Sequence, residues 1–336
     1  MDDAAARLSL PLPWHRPLLD EWLARRKQER LPHALVLSAP SGSGKHRLAG
    51  ALAEALLCQQ GDGAACGQCQ GCHLAAAGTH PDLHVLMPEE GKRQVRIDQV
   101  RELVEFAART AQFGGYRVAL IEPADAMNRN AQNALLKTLE EPGADTLLIL
   151  VTNQPSLLLP TVRSRCQQVT LPVPSTEDAL AWLSERIGDE SRARALLNQA
   201  AGAPLHALDL ESAAWFADRE ALLGHCLAVV ERRAPVSQVV SGMMEYELIT
   251  LLDALARWWQ QAAAMTASRA EGADPALLPL FRRLRARCDR LRLVDAASRA
   301  RRAQQALQRG SNPNGELLIE QLLLFLAGVD DPQPAF

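Results

Sequence analysis

The rhythm of apolar positions changes partway along the chain. Up to Leu171, short apolar runs alternate with amphipathic stretches. Ala34–Ser38, Leu83–Met87, Arg117–Glu122 and Thr146–Thr152 have the length and composition of buried strands. Between them, His46–Cys58, Asp98–Thr110 and Asn130–Glu141 place apolar residues at three- and four-residue spacing, which predicts helices, the second capped by Asp98. Alternation of this kind predicts a doubly wound, mostly parallel α/β sheet.

Beyond Leu171 the strand pattern stops. Pro172, Pro174 and Ser175 punctuate the chain, and Ser175 with Asp178 has the spacing of a capping box opening a helix that ends at Gly188. Ser191–Ala201 predicts a second helix stopped by Gly202. From Leu210 only helical patterns follow: Ala213–Arg232, Glu245–Ala264, Pro275–Leu291, Ala296–Gln308 and Glu316–Leu326. The expected organisation is an α/β domain over residues 1–168 with a cysteine module at 58–72, a small helical lid over 169–208, and an all-helical domain over 209–336.

Composition excludes more than it assigns. Thirty-six basic residues face 39 acidic ones, a net charge of −3, so no global field draws the chain to DNA or to an anionic membrane. With six Trp, two Tyr and six Phe, base-stacking platforms cannot be numerous. One local exception is Phe281–Arg309, with ten arginines against Asp289 and Asp295; it reads as a solvated or subunit-contact face before it reads as a DNA site. No apolar stretch reaches the ~18 residues of a membrane span. The acidic start lacks the basic-then-apolar order of a secretion signal, so the expected location is the cytoplasm.

Seven cysteines, an odd number, argue against a fully paired secreted disulfide framework. Cys58, Cys66, Cys69 and Cys72 follow a C-x7-C-x2-C-x2-C pattern, with Gly61, Gly63, Gly67 and Gly71 supplying tight turns. Four thiolates complete a tetrahedral Zn²⁺ shell, which predicts a structural rather than an open catalytic site. His73, His80 and His84 are competing ligands, and a redox pair or a set of buried thiols are the other readings. Cys226 and Cys288 stand alone on helical patterns and read as core.

Ala39-Pro40-Ser41-Gly42-Ser43-Gly44-Lys45-His46 joins a strand to a helix, as a phosphate-binding loop does. Gly42, Gly44 and Lys45 are the groups that would wrap and reach phosphate oxygens. Two departures weaken it: Ala39 replaces the first glycine, and His46 replaces the hydroxyl that would hold Mg²⁺, a cation that prefers oxygen. The strand that should end in metal-binding and catalytic acids ends Glu122-Pro123-Ala124-Asp125. Glu122 could hold a metal, Pro123 has no titratable group, and Asp125 reads as a cap or a solvated turn. Further on, Arg163-Ser164-Arg165-Cys166 follows an apolar strand, where Arg165 could present its donor fork to phosphate or form a surface ion pair.

Taken together, HALVLSAPSGSGK, the cysteine module followed by GTHPD, NALLKTLEEP (Asn133–Pro142), Ser164–Cys166 and NGELLIEQLLL resemble the clamp-loader AAA+ family over nearly the whole chain. The resemblance implies an α/β AAA+ domain with a zinc knuckle, a helical lid and a helical collar. It implies a hetero-pentamer with motor and delta subunits that uses ATP to open a sliding clamp and close it on primer–template DNA, DNA contact belonging mainly to the assembled complex. Carried over, Arg165, flanked by Ser164 and Cys166, is an arginine finger reaching the γ-phosphate in a neighbouring subunit. Thr152 and Asn153 fall in the first sensor region, and Leu205 stands where the second sensor arginine would be. The expectation is a stator without autonomous ATPase, ATP or ADP occupancy of the loop being open. The alternative is a motor subunit that hydrolyses ATP itself, tolerating His46 and Pro123.

Overall fold

The computed structural model describes residues 10–329 apart from 62, 90, 91, 93, 201, 266–273, 275, 309, 310 and 312. They fall into two compact units, one ending at Pro174 and the other starting at Ser175.

In the first unit the chain runs α1 (Arg16–Lys27), β1 (Ala34–Ser38), α2 (Lys45–Leu57), α3 (Gln70–Ala76), β2 (Leu83–Leu86), α4 (Ile97–Ala107), β3 (Arg117–Ile121), α5 (Arg129–Glu140), β4 (Thr146–Thr152), α6 (Pro160–Arg163) and β5 (Gln167–Thr170). The five strands are parallel in the order β2-β3-β4-β1-β5. β1, β3 and β4 are buried at every position, as strands covered on both faces must be, which is why they read as unbroken apolar runs. Alternate residues serve opposite faces. Leu35, Leu37 and Ile149 pack with α1 and α2 residues such as Trp22 and Leu52, while Val36, Leu148 and Ile121 pack with α4 and α5 residues such as Leu103 and Leu135. The connection leaving β1 runs toward the β2 edge, whereas the one leaving β4 crosses to β5. The carboxyl ends of β1 and β4 therefore flank the topological switch point, where α/β proteins place their sites.

Two local readings change. α4 is capped by Arg96, whose backbone N–H donates to the Gln99 side chain, so Asp98 lies within the first turn. β5 lies on the sheet edge with its residues mostly exposed, and without an apolar run it gives no strand signal. Ahead of α1, Leu12 and His15 are buried.

The second unit is helical: α7 (Thr176–Ile187), α8 (Glu190–Gln199), α9 (Pro204–Glu211), α10 (Ala214–Ala217), α11 (Arg219–Val230), α12 (Val236–Met243), α13 (Leu248–Ala264), α14 (Leu278–Arg287), α15 (Arg290–Gln308) and α16 (Gly315–Leu326). Ser175 caps α7 by accepting from the Asp178 N–H at 3.0 Å, and Gly188 closes it with φ 77°, as the sequence predicts. The predicted end at Ala201 and start at Pro275 lie outside the described residues. The core is built on α13, whose Trp258 and Trp259 are fully buried; Trp258 donates to the Gln199 side chain at 3.1 Å. Part of the arginine-rich stretch is paired internally, Arg283 with Glu231 and Arg299 with Asp295. Arg292 donates to the Phe325 carbonyl. No described helix is long and apolar enough to cross a membrane.

Candidate functional site

Residues 39–44 link β1 to α2 as a phosphate loop would, with Gly42 and Gly44 at φ 73° and 92°. The positive φ of Gly44 favours glycine there, and a Cβ would in addition meet Leu12 Cδ1 at 2.5 Å and force that side chain to shift. The Lys45 side chain does not project into solvent; the residue is 6% exposed. Its ammonium donates to the carbonyls of Ala39 and Pro40, each at 2.8 Å, and to Asn153 Oδ1 at 2.7 Å. Three donors meet three acceptors. Burial lowers the Lys45 pKa to about 8, against the opposing pull of Glu122 and Asp125.

Where a loop of this type would place a Mg²⁺-binding hydroxyl, His46 Nδ1 contacts Glu122 Oε2 at 2.5 Å. That hydrogen bond raises the imidazole pKa despite partial burial. Asp125 is not a solvated turn residue. Its Oδ1 accepts from Thr152 Oγ1 at 2.5 Å and from the Asn153 N–H at 3.1 Å, clamping the end of β4.

From Asn153 the chain descends to the arginine corner, and α5 fastens it on the way. Gln132, 3% exposed, donates to the carbonyls of Met127 and Leu157 and accepts from the Leu159 N–H at 2.7 Å. Arg165 projects beyond α6. Its Nε donates to Glu140 Oε1 at 2.8 Å and its Nη1 to the Thr161 carbonyl at 2.8 Å, with Nη2 2.5 Å from the same Glu140 oxygen. The side chain stays one-third exposed. Ser164 Oγ donates to the Thr161 carbonyl, and Cys166 is buried in the core, which pushes its thiol up to about 12. Among the described residues no hydrogen bond or ion pair joins Arg165 to the loop at Lys45. Gln132 and Glu140 were not singled out from sequence. Gln132 had a signal: it is a polar residue on the apolar face that Ala131, Leu135 and Leu139 share.

The four cysteines of the 58–72 module come together, all four sulfurs lying within 4.8 Å of one another. Cys66 and Cys72 Sγ are 3.8 Å apart, and Cys58 and Cys69 Sγ 3.9 Å. A tetrahedral ion with bonds of about 2.3 Å spaces its sulfurs by about 3.8 Å, so the donor set fits zinc in both chemistry and size. Backbone N–H groups already point at sulfur, Gln68 to Cys66 and Cys72 to Cys69. Burial resists ionisation of Cys69, but the amides of Cys72 and Gln59 outweigh it and bring that thiol down to about 6. Burial and the neighbouring thiols push Cys72 up to about 12. Among the described residues no histidine joins the cluster. His80 instead accepts the Asp82 N–H at Nδ1. A Cβ on Gly71 would lie 2.5 Å from the Leu57 carbonyl, so α3 can sit against α2 only with glycine there.

Below the module lies a buried knot. Asp82 and Arg117, with side chains 1% and 3% exposed, pair at 3.2 Å. The Asp82 carboxylate also accepts the N–H groups of Gln112 and Phe113. Arg117 also donates to the carbonyls of Phe106 and Thr110 and lies over the Phe106 ring.

Fold and sites together define a parallel α/β domain of phosphate-loop type, with a cysteine module inserted after α2 and an all-helical unit following. The family described as "DNA polymerase III, delta subunit" matches residues 14–175, ending one residue past the first unit. A DNA polymerase III subunit delta' from Pseudomonas aeruginosa is 45% identical over 239 residues, 70% of this chain and 68% of that protein. The Escherichia coli subunit delta' is 42% identical over 200 residues, covering 59% and 60%. That of Yersinia pestis is 33% identical over 326 residues, covering 93% and 94%. The chain belongs to the DNA polymerase III subunit delta' family.

Proposed function

We propose that this chain works in the cytoplasm as a stator of the polymerase III clamp loader, donating Arg165 to the ATP site of a neighbouring motor subunit and hydrolysing no ATP itself. Its partners in this reading are the motor and delta subunits of a hetero-pentamer, the sliding clamp, and primer–template DNA held by the assembled complex. The observation that carries it is the contrast between two cationic side chains. Lys45, the group an autonomous ATPase would need free, is spent on internal oxygens. Arg165 is held at the surface by a half-exposed carboxylate and one carbonyl, contacts that a phosphate can displace because exposed ion pairs are worth at most about 1 kcal/mol. The guanidinium fork suits a γ-phosphate.

Gly42 and Gly44 keep the turn of a phosphate loop, but His46, paired to Glu122, replaces the Mg²⁺-binding hydroxyl, and proline at 123 cannot polarise water. The lid-and-collar division, residues 169–208 and 209–336, belongs to the same reading. Cys58, Cys66, Cys69 and Cys72 would hold one structural zinc ion, the closed shell allotting it a folding role. The test is a loader reconstituted with Arg165→Ala: assembly by size exclusion should persist while ATP turnover collapses. Unchanged turnover refutes the donation.

A further inference from the structure

The loop lysine donates to three of the protein's own oxygens, and its partners lie at the ends of two different strands. Ala39 and Pro40 continue directly from β1, and Asn153 directly from β4. Lys45 Nζ reaches all three at 2.7–2.8 Å, from a residue that is 6% exposed. A fully donated, buried ammonium at this spacing is a charge-assisted bond to each acceptor. The far side of Asn153 is fixed as well, because Asp125, just past β3, accepts both its N–H and the Thr152 hydroxyl. One polar chain thus joins the carboxyl ends of β1, β3 and β4.

Asn153 is also where the path to the arginine corner begins. Gln154 donates back to Thr152 Oγ1 at 3.0 Å; residues 157 and 159 are held by Gln132; α6 then delivers Arg165. With His46 and Glu122 paired beside it and Leu12 packed over Gly44, the loop carries its own countercharges and its own cover. We propose that Lys45 is a positioning residue: its ammonium ties the loop to Asn153 and so holds the end of β4 at the angle that aims Arg165 at the neighbouring subunit. The proposal rests on the donation of Arg165 in trans and adds a role for a second residue that never touches the nucleotide.

The experiment is a double-mutant cycle in the reconstituted loader, using the full chain carrying Lys45→Met, Arg165→Ala or both. Misplacing a catalytic group by about 1 Å costs on the order of 10²-fold, so Lys45→Met should lower kcat by roughly 10- to 100-fold. The KM for ATP should not change. Because Lys45 acts through Arg165, the double variant should be no slower than Arg165→Ala alone. Losses that multiply, or full activity of Lys45→Met, overturn the proposal.

Should Arg165→Ala leave turnover intact, the donation fails, and the tie is then judged in the single chain. Thermal unfolding of Lys45→Met, Asn153→Ala and the double variant must be non-additive, whereas additive effects overturn the tie. Lys45→Arg, which keeps the charge but not the compact three-donor geometry, should behave as Lys45→Met. If MgATP raises the unfolding temperature of the wild type and Lys45→Met abolishes that rise, the lysine is a phosphate ligand and the proposal falls.

Discussion

Replacing Asp82 by alanine should be among the most damaging single changes in the first unit, and its size follows from the buried knot. The substitution strands a guanidinium whose side chain is 3% exposed and removes the acceptor of the Gln112 and Phe113 amides. Breaking one side of a buried pair costs about 3–5 kcal/mol, because the remaining charge is left uncompensated. Against a typical domain stability of roughly 5–15 kcal/mol, that is a large fraction. Asp82→Asn retains an oxygen for an amide while losing the charge, and should fall between. The assay is urea unfolding of the full chain followed by far-ultraviolet circular dichroism. The midpoint should drop steeply for Asp82→Ala, with the β2–β3 edge and the cysteine module loosening together in hydrogen exchange. A loss below about 1 kcal/mol would refute the reasoning, as it would place this pair in the class of exposed ion pairs.

Three further predictions are independent of it. The purified chain should retain close to one equivalent of zinc through dialysis, and Cys69→Ser should release it and lower the unfolding temperature; metal analysis decides, and an apo protein of equal stability contradicts the four-sulfur site. Gly44→Ala must force a side chain into φ 92° and against Leu12, a loss of about 1–3 kcal/mol measurable by thermal unfolding. The Lys45 pKa gives a pH dependence of definite sign. Lowered to about 8 from an ordinary 10.5, it means that the folded chain binds fewer protons than the unfolded chain between those values. Stability contributed by this group therefore rises with pH across that window. Wild type measured against Lys45→Met should show the rise between pH 8 and 10.5; a flat or falling difference contradicts it.

Much of the sheet was legible from sequence because β1, β3 and β4 are buried on both faces, so burial demanded the apolar runs that announce them. β5 escaped notice for the converse reason: it closes the edge of the sheet with Gln167 and Gln168, and pairing with β1 rather than hydrophobicity makes it a strand. The clustering of Cys58, Cys66, Cys69 and Cys72 could be read because the four residues are close in sequence as well as in space. Asp125, Asn153, Gln132 and Glu140 could not be given partners, since their contacts cross between 25 and 108 positions of chain and follow only from strand order. Lys45 was legible as a loop lysine, but not as one satisfied by its own loop. That fact depends on where β4 ends. GTHPD was a family signature without a physical role until Asp82 was seen to meet Arg117 across β2 and β3.

The central claim is that Arg165 acts on a neighbour's nucleotide, and DNA- and clamp-stimulated ATP turnover of the reconstituted loader tests it most directly. Arginine fingers supply about 10³–10⁵ in rate, so the complex carrying Arg165→Ala should lose at least about 10³-fold in that subunit's site, with assembly preserved. Arg165→Lys should rescue little of it, because an ammonium cannot present the planar fork. Turnover equal to wild type in a fully assembled Arg165→Ala loader would contradict the account.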